Sequence, residues 1–244
     1  MTPSKADIKL IRSLDKKRAR ESTGLFVVEG EKLYGELLKS DLVIHKVFSR
    51  EEISEEMMSK ISHLSNPSPI LAIVKKPSVK KQERLQVGKF YLALDSIKDP
   101  GNMGTIIRLA EWFGVDTIFC SLECVDIYNP KVVQSAMGSL FRMDIQYKDL
   151  KDVIQQCKPY IPVYGTFLTG ENIYGEILPE GALVVLRNES FGICKELSQI
   201  VDKRVHIPSF SIEAKGGESL NVAIAAAVIG SEFRRSSVSK PQKE

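Results

Sequence analysis

From Phe90 onward, short apolar segments alternate with segments whose apolar residues recur at helical spacing. The apolar segments are typical of strands that are buried on both faces of a sheet. Alternation of this kind predicts an α/β domain with a mainly parallel sheet and helices on both of its faces. We predict strands at 90–95, 117–121, 163–168, 182–186 and 204–208, and helices at 103–114, 129–137 and 219–235.

The preceding part of the chain predicts a second, smaller α/β unit. Its predicted elements are a basic amphipathic helix at 5–20, a helix at 31–40, and strands at 25–30, 46–48 and 70–76. A polar, proline-bearing stretch follows, which is typical of a linker. The predicted organisation is therefore an N-terminal domain at 1–76, a linker at 77–88 and a larger domain at 89–244.

The composition is that of a globular protein, with 43% apolar and 27% charged residues among 244. No apolar run is long enough to cross a membrane, and the N-terminus lacks a signal-peptide core, so we expect a cytoplasmic location. The cysteines and histidines form no metal-ligand pattern, which favours buried reduced thiols and predicts no metal site. These residues are Cys120, Cys124, Cys157, Cys194, His45, His63 and His206.

Basic residues are concentrated in three places, although the net charge is only +3. The clusters lie at 9–20, at 75–84 and in the tail from Arg234. Each cluster alone is compatible with a solvated surface. Together they favour a polyanionic partner, since clustered lysine and arginine residues bind phosphate backbones.

Three loops follow predicted strands at the edge where parallel sheets bind ligands, at 96–103, 187–193 and 208–218. The first loop fits neither the dinucleotide fingerprint nor the phosphate-binding P-loop, because its two glycines are spaced GxxG and no Lys-Ser or Lys-Thr follows. It does lead into a helix that carries Arg108. A helix N-terminus with a nearby arginine can receive a phosphate or a ribose edge. The alternative is a simple turn with a surface arginine.

The other two loops also carry polar residues with two interpretations. Glu189 can accept a hydrogen bond from a sugar hydroxyl, or it can cap the short segment that follows. Ser219 and Asn221 stand at the start of an apolar helix, where asparagine lowers the helix propensity and its amide needs a partner. The alternative for this pair is a loop-to-helix cap with an incidental asparagine.

Taken together, the three loops resemble the three motifs of the SpoU (TrmH-like) branch of the SPOUT RNA methyltransferases. The segment SAMGSLFR at 135–142 also resembles this family, and GLFVVEGEKLYGELL resembles its ribosomal-protein-like RNA-binding domain. The motif stretches are Asn102-Met-Gly-Thr-Ile-Ile-Arg108, Leu186-Arg-Asn-Glu-Ser-Phe-Gly192, and Ile207-Pro208 with Glu218-Ser-Leu-Asn-Val222.

The resemblance implies a fold, a reaction and a set of residues. The larger domain would contain a deep trefoil knot, an exception to the rule that chains do not thread loops. The protein would be a homodimer that transfers a methyl group from S-adenosylmethionine to a ribose 2′-hydroxyl of RNA, with ribosomal RNA as the substrate by analogy. The resemblance assigns Thr166, Leu186, Arg187, Ile207 and Leu220 to the cofactor, and Arg108, Glu189, Ser219 and Asn221 to the ribose, with Asn102 supporting the loop.

In the N-terminal domain, Lys16, Lys17, Arg18 and Arg20 are the candidates for contact with the RNA backbone.

One position departs from the family pattern. The family usually has glycine where this chain has Arg187, and often at Ser190 as well. If the arginine is accommodated, the protein is an enzyme; if it obstructs the cofactor, the protein is an RNA-binding relative with weak or lost methyl transfer. A nucleotide-dependent oxidoreductase is a remote third hypothesis, because the dinucleotide fingerprint is absent.

Overall fold

The computed structural model describes residues 2–78, 85–187, 195–210 and 219–238, without the side chains of Arg187, Lys195 and residues 236–238. The strands are β1 Leu25–Glu29, β2 Ile44–Ser49, β3 Ile70–Lys75, β4 Phe90–Asp95, β5 Thr117–Cys120, β6 Asp144–Tyr147, β7 Val163–Asn172, β8 Ala182–Arg187 and β9 Lys203–His206. The helices are α1 Lys5–Ser13, α2 Lys17–Thr23, α3 Glu31–Leu38, α4 Glu55–Ile61, α5 Pro100–Trp112, α6 Pro130–Ala136, α7 Leu150–Cys157, α8 Lys195–Ile200 and α9 Val222–Val238. Within these residues, no helix is both long and apolar enough to span a bilayer.

The chain forms two compact units, and the first is built from two separate segments. It contains Met1–Lys81 together with Asp126–Arg142. Its sheet is antiparallel with the order β1-β3-β2. The prediction placed all of residues 89–244 in the larger domain. The structure instead groups residues 126–142, which contain α6, with the N-terminal unit.

The predicted basic helix at 5–20 is wrong as a single element. The chain forms α1 and α2 instead, and the break falls at Leu14–Lys16. The carbonyls of Leu14 and Asp15 both accept hydrogen bonds from the Arg20 guanidinium, at 2.7 and 2.8 Å. At the break, these two carbonyls are satisfied by a side chain instead of the backbone N–H groups of a continuing helix.

The second unit, Gln82–Val125 with Met143–Glu244, contains a six-stranded sheet in the order β6-β5-β4-β8-β7-β9. Every pairing in this sheet is parallel. After β4 the chain adds β5 and β6 on one side and places β7, β8 and β9 on the other. Because the strand order reverses at β4 and β8, a crevice is expected at their carboxyl ends.

Helices cover both faces of this sheet, as predicted. On one face, Tyr91, Ala93 and Val185 pack in a core with residues of α7 and α8. On the other face, Phe233 of α9 stacks on Phe90 with 5.1 Å between ring centroids and meets the edge of Tyr164 at 5.2 Å. The prediction of a mainly parallel sheet with helices on both faces is confirmed.

Helices α5 and α9 pack closely because one contact position is a glycine. A Cβ atom added at Gly230 would lie 2.6 Å from Cδ2 of the Phe113 ring. Arg234 supports the same contact, since its Nε and Nη2 donate to the carbonyls of Phe113 and Gly114, both at 2.6 Å.

We predict that Gly230→Ala lowers the free energy of unfolding by about 1–3 kcal/mol, because the added methyl group forces α5 away from α9. Urea unfolding followed by circular dichroism measures the effect. The matched control is Gly35→Ala in α3, where an added Cβ has no atom within 4 Å. This control should raise stability by up to about 1 kcal/mol, since alanine is the better helix former. Equal effects of the two substitutions would contradict the packing argument.

Candidate active site

The candidate site lies at the carboxyl ends of β4 and β8, where the strand order reverses. The last residues of the two strands, Asp95 and Arg187, are partners in the parallel register. Asp95 is buried, and its Oδ1 accepts a hydrogen bond from the Ser96 hydroxyl at 2.9 Å. Glu189 and most of the second loop lie outside the described residues, as do 211–218 of the third loop.

Helix α5 begins three residues earlier than predicted and therefore includes Asn102 in its first turn. The Asp99 side chain caps the helix by accepting a hydrogen bond from the Asn102 N–H at 2.7 Å, and Pro100 occupies the first turn. An aspartate followed by proline is a helix-start signal that the sequence contained. Arg108 lies on the exposed side of α5.

The first and third loops meet through two asparagine side chains. Nδ2 of Asn221 donates a hydrogen bond to Oδ1 of Asn102 at 2.9 Å. Oδ1 of Asn221 accepts from the N–H groups of Ala223 and Ile224, at 3.0 and 3.4 Å. Asn221 therefore caps α9, as the alternative interpretation expects, and its amide finds a partner in Asn102 of α5.

The predicted start of the last helix at Ser219 is wrong by three residues. The helix begins at Val222, and Asn221 rather than Ser219 supplies the cap. Ser219 is half-buried just before it, and Leu220 is half-exposed.

Four of the five residues expected to hold the cofactor stand on or just after neighbouring strands, and Leu220 stands just before α9. Thr166 of β7 donates its hydroxyl hydrogen bond to the Val185 carbonyl of β8 at 3.0 Å. Leu186 follows in β8 and is buried, whereas only the backbone of Arg187 is described. Ile207 follows β9 directly. Beside it, Nδ1 of His206 is buried and has no hydrogen-bond partner among the described residues, a feature that sequence reasoning missed.

Of the four residues expected to contact RNA, the structure exposes three. Lys16, Lys17 and Arg18 are exposed, and Lys17 makes only a loose ion pair with Glu21 at 3.8 Å. Arg20 is only 2% exposed. Its Nη2 and Nε lie 2.7 and 2.8 Å from Oδ2 of Asp126, so the assignment of Arg20 to RNA binding is wrong.

Arg20 instead helps to tie the two segments of the first unit together. Its guanidinium pairs with Asp126 and also donates to the carbonyls of Leu14 and Asp15. No sequence signal could have found this role, because Arg20 stands in a basic run and its carboxylate partner lies 106 residues away.

The described cysteines are reduced and buried, as expected, and Cys194 lies outside the described residues. Burial raises the pKa of Cys157 to about 12. Across the described part of the chain, no group of His, Cys, Asp and Glu residues could hold a metal ion.

Comparison with known families decides the relationship of the chain. Residues 89–231 match the model of the SpoU rRNA methylase family. The chain belongs to this family. Residues 5–53 match the MRM3-like substrate binding domain, so this SpoU protein carries a substrate-binding domain before its methylase domain.

Individual relatives cover nearly the whole SpoU protein. A Bacillus subtilis protein described as 23S rRNA (guanosine(2553)-2′-O)-methyltransferase RlmP is 30% identical, covering 89% of this chain and 92% of the relative. A putative TrmH-family RNA methyltransferase from Porphyromonas gingivalis is 34% identical, with a TM-score of 0.83 over 96% of this chain and 98% of the other. An AdoMet-bound rRNA methyltransferase from Sinorhizobium meliloti is 27% identical, with a TM-score of 0.83 over 96% of each chain.

For Arg20, we predict that Arg20→Ala lowers the free energy of unfolding by about 3–5 kcal/mol, because Asp126, whose side chain is only 10% exposed, is left without its cation. Urea unfolding measures the loss. Arg18→Ala is the matched control, since the same change at an exposed neighbour should stay within about 0.5 kcal/mol. A loss below about 1 kcal/mol for Arg20→Ala would show that this buried pair does not hold the unit together.

Proposed function

We propose that this protein transfers a methyl group from S-adenosylmethionine to a ribose 2′-hydroxyl of ribosomal RNA. The observation that carries the proposal is the hydrogen bond between Asn221 and Asn102, because it joins the first and third motifs of the SpoU family at one place. The second motif begins with the last two residues of β8, and the neighbouring strand β4 leads into the first motif. The 30% sequence identity to the Bacillus subtilis protein RlmP makes 23S ribosomal RNA the first substrate to test.

The cofactor site is assigned to the carboxyl ends of β7, β8 and β9. Leu186 and Arg187 end β8, and Ile207 and Leu220 lie in the segment that follows β9. Thr166 lies within β7, next to the stretch that pairs with β8. Two observations support the fit: the relative from Sinorhizobium meliloti is described as AdoMet-bound, and Nδ1 of His206 is a buried polar atom that could serve a polar ligand. Bound S-adenosylmethionine supplies the methyl group, which its sulfonium centre activates for transfer.

The side chains assigned to the ribose are Arg108, Glu189, Ser219 and Asn221, with Asn102 supporting them. A ribose hydroxyl is a weak nucleophile. Negative charge develops on its oxygen as its proton is lost to solvent and the methyl group passes from sulfur to oxygen. A guanidinium holds its proton far above neutral pH and is unsuited to act as a base. Arg108 therefore binds the adjacent phosphate and stabilises the developing alkoxide. Alignment of the hydroxyl with the methyl group supplies further acceleration.

A homodimer is proposed from the exposed apolar side chains of α5 and α9. Trp112 is 84% exposed and Ile224 is 54% exposed, and large exposed apolar side chains favour contact with a partner. Arg108 lies one helical turn before Trp112, on the same side of α5. A second copy that covers this surface would therefore border the ribose site. The trefoil knot and the cytoplasmic location stay predictions.

The exposed cations Lys16, Lys17 and Arg18 are assigned to the RNA backbone. Replacing all three by alanine should weaken RNA binding and make the affinity less dependent on salt. Each lost phosphate contact reduces the slope of log affinity against log salt concentration by about 0.9 or less. Filter binding of a 23S RNA fragment at several salt concentrations measures both quantities. A triple variant with the wild-type affinity and slope would contradict the assignment, and circular dichroism controls for folding.

The main experiment measures methyl transfer from radiolabelled S-adenosylmethionine to unmodified 23S ribosomal RNA. Wild-type protein should label the RNA at a ribose oxygen. Arg108→Lys should lower kcat by roughly 10²-fold, because lysine keeps the charge but lacks the planar guanidinium that donates two hydrogen bonds to one anion. The matched control is Arg50→Lys, since Arg50 pairs with Glu55 at 3.2 Å in the other unit. Near-full turnover by Arg108→Lys would exclude a role for the planar group.

Calorimetric titration of S-adenosylmethionine separates the enzyme from the RNA-binding relative. Binding to the wild type means that Arg187 is accommodated. If the wild type does not bind the cofactor and Arg187→Gly does, the arginine obstructs the site. The protein is then an RNA-binding relative without methyl transfer.

A further inference from the structure

The loop between β4 and α5 begins in an unfavourable backbone conformation. Ser96 has φ of 58°, which places a non-glycine residue in the left-handed region. Such a residue costs of order 1 kcal/mol or more, and it persists only where the surroundings hold it. Asn102 and the rest of the first turn of α5 follow within six residues.

Backbone hydrogen bonds hold this loop against the turn at 121–125. The Ser121 N–H donates to the Leu94 carbonyl at 2.9 Å, and the Val125 N–H donates to the Ile97 carbonyl at 2.9 Å. The Ser121 hydroxyl oxygen also accepts a hydrogen bond from the Ser96 N–H at 3.0 Å. The residue with the unfavourable conformation is therefore held directly by a side chain of the turn.

Cys124 supplies the second side-chain contact of the turn. Its Sγ accepts a hydrogen bond from the Ile97 N–H at 3.3 Å and donates to the Leu94 carbonyl at 3.2 Å. Cys124 is 4% exposed. A hydrogen bond with Cys120 is the main reason that the pKa of Cys124 is lowered, and hydrogen bonds from Ser121 and Ile97 act in the same direction. The sulfur thus bridges the end of β4 and the loop that follows it.

We propose that Ser121 and Cys124 are positioning residues for methyl transfer. They fix the loop at 95–99 and, through it, the start of α5 that carries Asn102 and Arg108. The catalytic part of this inference rests on the proposed function, whereas the fixing of the loop does not. Neither residue belongs to the three motifs or to the assigned cofactor residues.

A buried cysteine of the same unit provides the matched control. Cys157 is fully buried in the core between the sheet and α7, and its thiol has no hydrogen bond to the loop at 95–99. Cys157→Ala therefore removes a buried thiol of the same size without touching the loop. If Cys124 acted only through core packing, Cys124→Ala and Cys157→Ala would have similar effects on activity.

The first readout is hydrogen–deuterium exchange of the free protein, resolved at the amides of Ser96 and Ile97. Cys124→Ala should speed exchange at the Ile97 amide by about 5- to 10-fold, because that amide loses one hydrogen bond. Ser121→Ala should have the same effect at the Ser96 amide. Cys124→Ser should exchange nearly as slowly as the wild type, because a hydroxyl can also accept from Ile97 and donate to Leu94. Cys157→Ala should leave both amides unchanged.

The second readout is methyl transfer under saturating cofactor and RNA. Cys124→Ala should lower kcat by about tenfold, with KM for RNA and Kd for S-adenosylmethionine within about twofold of the wild type, because misplaced groups act mainly in the transition state. Cys124→Ser should recover most of the loss. A kcat of Cys124→Ala equal to that of Cys157→Ala, or unchanged exchange at Ile97, would overturn the inference. An inactive wild type would instead contradict the proposed function. Exchange at Ile97 still tests the positioning of the loop in that case, because the measurement needs neither RNA nor cofactor.

Discussion

The parallel pairing of β4 with β8 is the contact on which the candidate site depends. Both strands are buried along the segments described, and their register runs from Phe90 opposite Ala182 to Asp95 opposite Arg187. Because the chain leaves these two strands in opposite directions across the sheet, their loops do not compete for the same space. The loop after β4 can therefore enter α5 at Pro100, and the asparagine pair can join α5 to α9. A shift of one residue in this pairing would turn every side chain of β8 to the other face and separate the motifs.

Two polar side chains in this protein each make two structural contacts. Asn221 caps a helix with its oxygen and joins another helix with its nitrogen. Cys124 packs as a small buried residue, yet its sulfur takes part in hydrogen bonds on two sides. In each case the group is satisfied within the fold. For Cys124, which is buried, this is the condition for burying a polar atom without loss of stability. Side chains held in this way lose little freedom when a substrate binds, and catalysis by alignment requires such preorganisation.

The first unit shows that a sequence boundary and a structural boundary need not coincide. The family model covers 89–231 as one region, but residues 126–142 of that region pack with the N-terminal unit. The buried pair of Arg20 with Asp126 lies at the start of this segment, and an ion pair of Glu36 with Arg142 at 2.6 Å lies at its end. The buried pair is the stronger constraint, since the exposed one is screened by solvent. Separation of the two domains at residue 77 or 88 would remove one of the two segments from the first unit.

The sequence by itself determined five of the six strands of the parallel sheet and the positions of three helices, but it did not predict β6, α7 or α8. These follow from local patterns: buried strands read as apolar runs, and helix starts carry caps such as Asn129 before Pro130. The sequence holds two further helix-start signals, Asp99 before Pro100 and Asp149 at the start of α7. Only the tertiary structure decided that Arg20 is buried, that Asn221 meets Asn102, and that Cys124 holds the loop after β4. Each of these depends on a partner far away in the chain, or on a turn whose path the local sequence does not specify. A periodic pattern records which side of an element is apolar, but it carries no information about which distant residue will lie against it.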